Sequence, residues 1–147
     1  MANQQLSREQ RNKAVAAALY EATSSGNWAA AESMLSEDLV ITEADSLPFG
    51  GVYRGRGALR ELYDRVLPML GNAEISVKGI TAGGEYVIYV LELVPRGRPP
   101  IPLVELFRFD DDGRIAYLTE HWNTWQAHRL LFQSHEAQPA RPLSHRG

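Results

Sequence analysis

The sequence predicts an α+β domain: helices come first, and a curved antiparallel sheet follows that they cover on one face. Three observations carry the prediction. Apolar residues recur at helical spacing as far as Pro68, alternation of period two takes over from Gly71, and the acidic run Asp110-Asp111-Asp112-Gly113 joins two strand-like segments as a hairpin turn. Helices and strands segregated in this way pack as one sheet with helices on one side, not as alternating βαβ units. At 147 residues the chain makes a single domain, residues 1–147, with its core over about residues 8–125 and a C-terminal helix or tail over residues 126–147.

The first helix starts at Ser7, which has capping-box spacing to Gln10, and its inward stripe is Val15, Ala16, Leu19, Ala22 and Thr23. Gly26 stops it, because glycine enters the left-handed region without a side-chain clash. Asn27 caps a second helix with the stripe Trp28, Ala31, Met34 and Leu35, so the two form a helical hairpin. Leu39 to Glu43 is a short β-branched strand, and Asp45 to Gly57, with Pro48 and four glycines, reads as loop. Leu59, Leu62, Tyr63, Val66 and Leu67 then fall at i, i+3, i+4, i+7 and i+8, an amphipathic helix with Glu61 and Arg65 paired outside and Pro68 as its end. Strands follow at Glu74 to Lys78 and Glu85 to Val94, separated by the Gly83-Gly84 turn. A proline-rich link, Pro95 to Pro102, leads to the strands Leu103 to Phe109 and Arg114 to Trp122. A short helix over Gln126 to Phe132 precedes a polar tail from His135.

Composition excludes several functions. With 15 basic and 18 acidic residues the net charge is −3, which gives no drive toward nucleic acid or anionic lipid. No cysteine is present, so disulfides, thiolate nucleophiles and cysteine-based metal sites are out. The start of the chain, Met1 to Leu6, lacks the charged and apolar pattern of a signal peptide, and no apolar run reaches membrane-spanning length; the expected location is the cytoplasm. His121, His128 and His135 recur every seven residues, but His121 belongs to a strand and the three cannot share one helical face. Read as a calcium loop, the run from Asp110 carries His121 where the closing glutamate belongs. The glycines at positions 50, 51, 55 and 57 make no phosphate fingerprint, and no nucleophile elbow surrounds a serine. The expectation is therefore no metal and no cofactor.

The candidate chemistry lies on the last two strands. Leu103, Glu105, Phe107 and Phe109 share one face, and so do Leu118, Glu120 and Trp122. A carboxyl enclosed by Phe, Leu and Trp holds its proton to higher pH and can then donate a hydrogen bond or a proton at neutrality. On the opposite face, Val104, Leu106 and Arg108 are no more polar, so both faces of this sheet are expected to be covered, one by helices and one by a partner subunit.

The segments Ser25-Gly26-Asn27-Trp28, Tyr53 to Tyr63, Phe107 to Ile115 and Glu120-His121-Trp122, in this order, resemble the nuclear transport factor 2-like superfamily, in particular its SnoaL-like and ketosteroid-isomerase-like branch. The resemblance implies a cone-shaped sheet with three helices on its concave face, enclosing a pocket, in a homodimer packed through the sheet's outer face. It places the isomerase's oxyanion-donating carboxyl on Glu105, the pocket tryptophan on Trp122 and a network tyrosine on Tyr63. Glu120, two residues before Trp122, joins the pocket side. The column of the isomerase base follows Glu43 and holds Ala44, with Asp45 one residue later, so Glu43 and Asp45 are the base candidates. The oxyanion tyrosine column falls on Leu19, one residue before Tyr20. The polyketide cyclase run Glu-His-Trp-Asp reads Glu120-His121-Trp122-Asn123 here.

These readings make Glu105, Asp45, Glu43 and Glu120 the catalytic candidates and Tyr20, Trp28, Tyr63, Tyr89, Phe107, Leu118 and Trp122 the ligand-binding ones. The function implied is cofactor-independent isomerisation or cyclisation of a small hydrophobic ring or polyketide-like molecule. The alternatives are a non-catalytic ligand-binding or dimerisation module and an epoxide hydrolase-like activity. Whether Asp45 and Glu105 point into one cavity separates catalysis from simple binding.

Overall fold

The computed structural model describes residues 6–136. In chain order the elements are α1 (Arg8–Ser24), α2 (Trp28–Ser33), β1 (Leu35–Glu43), β2 (Gly51–Arg54), α3 (Ala58–Leu70), β3 (Glu74–Gly83), β4 (Tyr86–Val94), β5 (Ile101–Phe109), β6 (Ile115–Trp122) and α4 (Thr124–Glu136). The six strands form one curved, unclosed sheet in the order β2-β1-β6-β5-β4-β3. On its inner face α1 lies over β3 and β4, and α3 lies over β1 and β2.

Local signals set most boundaries. The Ser7 hydroxyl accepts from the Gln10 amide at 3.1 Å while the Gln10 side chain accepts from Ser7 N at 2.9 Å, so both halves of the capping box form. Gly26, at φ +75°, ends the turn after α1, and Asn27 Oδ1 caps α2 by accepting from Ala30 N at 3.2 Å. In the acidic hairpin Asp110 Oδ1 accepts from both Asp112 N and Arg114 N, a turn geometry that leaves the aspartates solvated.

Four expectations are corrected. The second helix ends at Ser33, and Leu35 already belongs to β1, where it is fully buried. The polar residues Ser36, Glu37 and Asp38 occupy a register shift of β1 between Leu35 and Val40. Residues Gly51 to Arg54 are a strand and not loop, because β1 supplies the ladder that two apolar residues among glycines could not announce. Pro68 lies inside α3, which runs two residues further to stop at Gly71, φ +59°; so near the C-terminus the missing amide removes only one hydrogen bond. Finally, β1 runs parallel to β6, so the sheet is mixed; the pairing is between distant segments and no local turn encodes it.

The core collects the inner faces of all strands but β3, whose inward side chains Ile75, Val77 and Ile80 stay exposed. The C-terminal helix is longer than expected. Asn123 Oδ1 caps it, accepting from Gln126 N at 3.1 Å, and Ala127, Leu130 and Leu131 seat it in the core. The tail beyond residue 136 and residues 1–5 lie outside the described residues.

Candidate functional site

Strand register brings three glutamates into one line across the inner face. Glu105 on β5 stands opposite Glu120 on β6, and the parallel pairing Thr42 with Thr119 puts Glu43 at the end of β1 beside Glu120. On the other flank Glu105 pairs with Tyr89 of β4. Neighbouring strands lie about 4.8 Å apart, so the row Glu43, Glu120, Glu105, Tyr89 is a continuous band of ionisable groups. Glu43 and Glu105 are buried, 5% and 7% exposed, and Glu120 is half-buried.

Helix α1 roofs this band. The Tyr20 hydroxyl donates to Glu105 Oε1, and its ring packs on Tyr89 at 4.7 Å and against Phe107 at 6.0 Å between centroids. Tyr20 is therefore the tyrosine that meets the carboxyl, while its neighbour Leu19 is core. On the next rung Leu103 pairs with Trp122, whose ring lies 6.1 Å from Phe49. Phe107 and Leu118 form the rung on the other side.

Burial dominates the electrostatics. The Glu43 carboxyl is pushed up to about 10, first by desolvation and then by the charge and hydrogen bonding of Glu120, with the Trp122 indole opposing. Desolvation also raises Glu105, with Glu120 adding to it. Glu120 is raised by burial too, but hydrogen bonding from Glu43 and Trp122 pulls it back. Glu120 is thus the member of the row with the most hydrogen bonding in favour of its charged form. Both Glu43 oxygens and Trp122 Nε1 are buried without a hydrogen bond of normal geometry, although all three lie within electrostatic reach of Glu120. Unsatisfied polar atoms on a buried face are costly and mark places where a ligand's polar atoms gain most.

Not every predicted residue joins this group. Asp45 is exposed, on the loop between β1 and β2. That loop doubles back so tightly that a Cβ on Gly50 would lie 2.2 Å from the Ala44 carbonyl oxygen and 2.8 Å from Asp45 Cα. Leu47 and Phe49 take its inward positions, and the Tyr53 hydroxyl ties it by donating to the Phe49 carbonyl at 2.7 Å, so Asp45 is left outside. Trp28 sits edge-on to Tyr63 at 5.3 Å with the Arg60 guanidinium 5.7 Å above its ring, a packing position between α2 and α3. Tyr63 links that cluster to the row: burial raises its hydroxyl, Thr23 Oγ1 accepts from it at 3.5 Å, and the Glu120 charge reaches it. Burial likewise raises Tyr89. Phe49 is the inner-face residue that sequence reasoning missed; a lone aromatic in a glycine-rich loop gave no periodic signal. His121 points outward, exposed, and among the described residues no three His, Asp or Glu side chains converge on a metal site.

A curved, unclosed sheet with helices packed on it is the architecture of the nuclear transport factor 2-like class of α+β domains. Within it, this chain belongs to the SnoaL-like domain family, whose model matches residues 16–118. Solved structures agree on the fold. An NTF2-like protein of unknown function from Burkholderia pseudomallei superposes with a TM-score of 0.70 at 20% identity, covering 82% of this chain and 97% of its own. A Jannaschia sp. CCS1 protein assigned as a SnoaL-like polyketide cyclase gives 0.71 at 13% identity, covering 88% and 97%. TerC, crystallised with polyporic acid, gives 0.69 at 18%, covering 83% and 98%. No curated protein matches in sequence.

Proposed function

We propose that the protein binds a small, largely apolar ring or polyketide-like molecule over the glutamate row and moves a proton within it, as an isomerase or cyclase that needs no cofactor. The observation that carries this reading is the row itself: three carboxyls side by side on one buried face, all pushed toward the protonated form by burial, with Glu43 and Trp122 hydrogen bonding pulling the middle one, Glu120, back toward its charged form. In the reaction, Glu120 takes a proton from a carbon next to a carbonyl. The electrons pass to the carbonyl oxygen, and the resulting oxyanion accepts hydrogen bonds from neutral Glu105 and, through it, from the Tyr20 chain. Because Glu105 Oε1 accepts from Tyr20, its proton is carried on Oε2, free for the ligand. Glu120 then returns the proton to another carbon, or ring closure consumes the carbanion. Glu43 stays protonated and steadies the Glu120 charge, which assigns the base to Glu120 in place of Glu43 or Asp45.

Two comparisons support the ligand class: TerC was crystallised with polyporic acid, and the Jannaschia protein is assigned as a SnoaL-like polyketide cyclase. The test is a panel of cyclic ketones, enones, phenols and quinones screened by tryptophan fluorescence and thermal shift at acid and neutral pH. Binding that depends on pH and weakens in Glu105→Gln supports the reading; indifference of every binder to pH and to Glu105→Gln overturns it.

A second reading, a non-catalytic binding module, is favoured by the exposure of Asp45, which withdraws one base candidate from the interior. Ligand binding without turnover in both the parent and Glu120→Gln decides for it. Nothing favours epoxide hydrolysis: among the described residues no arginine forms a salt bridge with the row.

The outer face supports a homodimer. Val90 and Val104 pair across β4 and β5, Ile88 and Leu106 pair beside them, and Val90 and Val52 are 43% and 57% exposed. An apolar face of this extent on a soluble domain fits a second copy of the chain.

A further inference from the structure

Away from the glutamate row, the proline-rich link between β4 and β5 borders two adjoining clefts that share Pro95, Arg98 and Pro99: one of about 710 Å³ against Asn72 and Glu74, and one of about 420 Å³ against the first turns of α4. The smaller has the anatomy of a ligand site. Its walls are Pro95, Pro99, Ile101 and Leu130, and its polar groups are the Arg98 and Arg129 side chains with the Gln126 amide. Its volume lies within the range of small-molecule sites, roughly 300–1,000 Å³.

The link is stiff. Prolines at 95, 99 and 100 fix φ, and Gly97 makes the turn at φ +75°. Arg98 Nη1 donates to the Arg129 carbonyl at 3.5 Å, which holds the guanidinium between link and helix while its remaining donors stay available. Arg96 adds a third guanidinium in the larger cleft, where Glu74 is the acid on the far wall. Among the described residues the ion pairs involve Arg8, Arg56, Arg65 and Lys78, none of them here. The surrounding sequence is biased the same way: from His121 to Gly147 three arginines and all four histidines stand against a single glutamate, in a chain whose net charge is −3.

The geometry points to a second binding site, for an organic carboxylate whose apolar body lies on the proline, Ile101 and Leu130 walls and whose carboxylate is held by Arg98 and Arg129. A guanidinium pair matches the planar, bidentate geometry of that group, and the apolar walls reject small inorganic anions that cannot use them.

Calorimetric titration of the full chain with 2-naphthoate and with its neutral isostere 2-naphthamide tests this directly on the unmodified protein. Saturable naphthoate binding is expected, with the amide at least about tenfold weaker, since it lacks the charge-assisted bonds. The double variant Arg98→Gln and Arg129→Gln, with an unchanged unfolding midpoint, loses about tenfold, whereas Glu105→Gln binds naphthoate like the parent. No binding at millimolar naphthoate, equal binding of acid and amide, phosphate binding as tightly as naphthoate, or loss in Glu105→Gln with retention in the arginine variant each overturns the proposal.

Discussion

The two faces of β5 and β6 each depart, at particular positions, from the ordinary arrangement of an antiparallel sheet. Such a sheet usually turns apolar residues to the core and polar ones to water. Here the inner face buries Glu105 beside Glu120, and the outer face carries Val104 and Leu106 next to exposed Val90. Burying a carboxyl in apolar surroundings costs stability unless it is paired or hydrogen-bonded, a cost that a ligand or a reaction gives reason to keep, and exposing aliphatic side chains costs solubility unless something covers them. The same two strands therefore point to chemistry inside and a partner outside, and each half of that contrast can be broken separately.

The largest effect is expected on the inner face. Glu120→Gln removes the proposed base and is expected to lower turnover of a true substrate by about 10²–10⁴-fold while leaving ligand binding measurable. Glu105→Gln keeps a neutral hydrogen-bond donor and loses only about tenfold, so the ratio of the two losses in steady-state kinetics separates base from donor. Equal losses in the two variants would break the assignment. On the outer face, Val52→Asp with Val90→Asp puts charge into the apolar patch and is expected to convert the proposed dimer to monomer in sedimentation velocity, with the fold retained by circular dichroism. A parent protein that already sediments as a monomer removes the partner from the outer half of the contrast.

Glu43 sharpens the contrast through pH. Its carboxyl, pushed up to about 10 from an ordinary 4.5, keeps in the folded state a proton that the unfolded chain has lost at neutrality. The folded state therefore binds more protons between these two values, and the stability carried by this group is complete below about pH 4.5 and is lost as pH rises toward 10. At pH 7 the cost is on the order of 3 kcal/mol. Glu43→Gln removes it, so the variant matches the parent near pH 4 and exceeds it by a few kcal/mol near pH 8 in urea unfolding. Parallel stability curves for parent and variant would show that Glu43 is ionised in the folded protein.

How legible this was differs between faces and between elements. Alternation along Leu103 to Phe109 and Leu118 to Trp122 put Glu105, Glu120 and Trp122 on one face, because a strand's period fixes sides without any knowledge of partners. The capping signals at Ser7, Asn27 and Asp110 likewise acted locally and set the turns they announce. What the sequence hid was pairing. The parallel contact of β1 with β6, which brings Glu43 to Glu120, joins segments some seventy-seven residues apart, the separation of the bonded Thr42 and Thr119. Asp45 and Phe49 exchanged expected roles for a similar reason: the tight return at Gly50 turns the apolar side chain in and the carboxylate out, a backbone event that composition reports only as loop.

Tyr20 offers the smallest and most specific test of the inner face. Its hydroxyl reaches Glu105 across eighty-five residues of sequence, and its ring is already fixed by Tyr89 and Phe107. Tyr20→Phe keeps that packing and deletes one hydrogen bond to a buried carboxyl, a loss of about 1 kcal/mol in stability. The same deletion frees Glu105 Oε1 and weakens the donor on Oε2, so turnover is expected to fall by about fivefold to tenfold with little change in KM, because the bond strengthens only as charge develops on the ligand. A change confined to KM would make Tyr20 a wall of the site, and an unchanged rate with the expected loss of stability would make its bond to Glu105 purely structural. Only a fall in kcat ties helix α1 to the proton chemistry of the sheet beneath it.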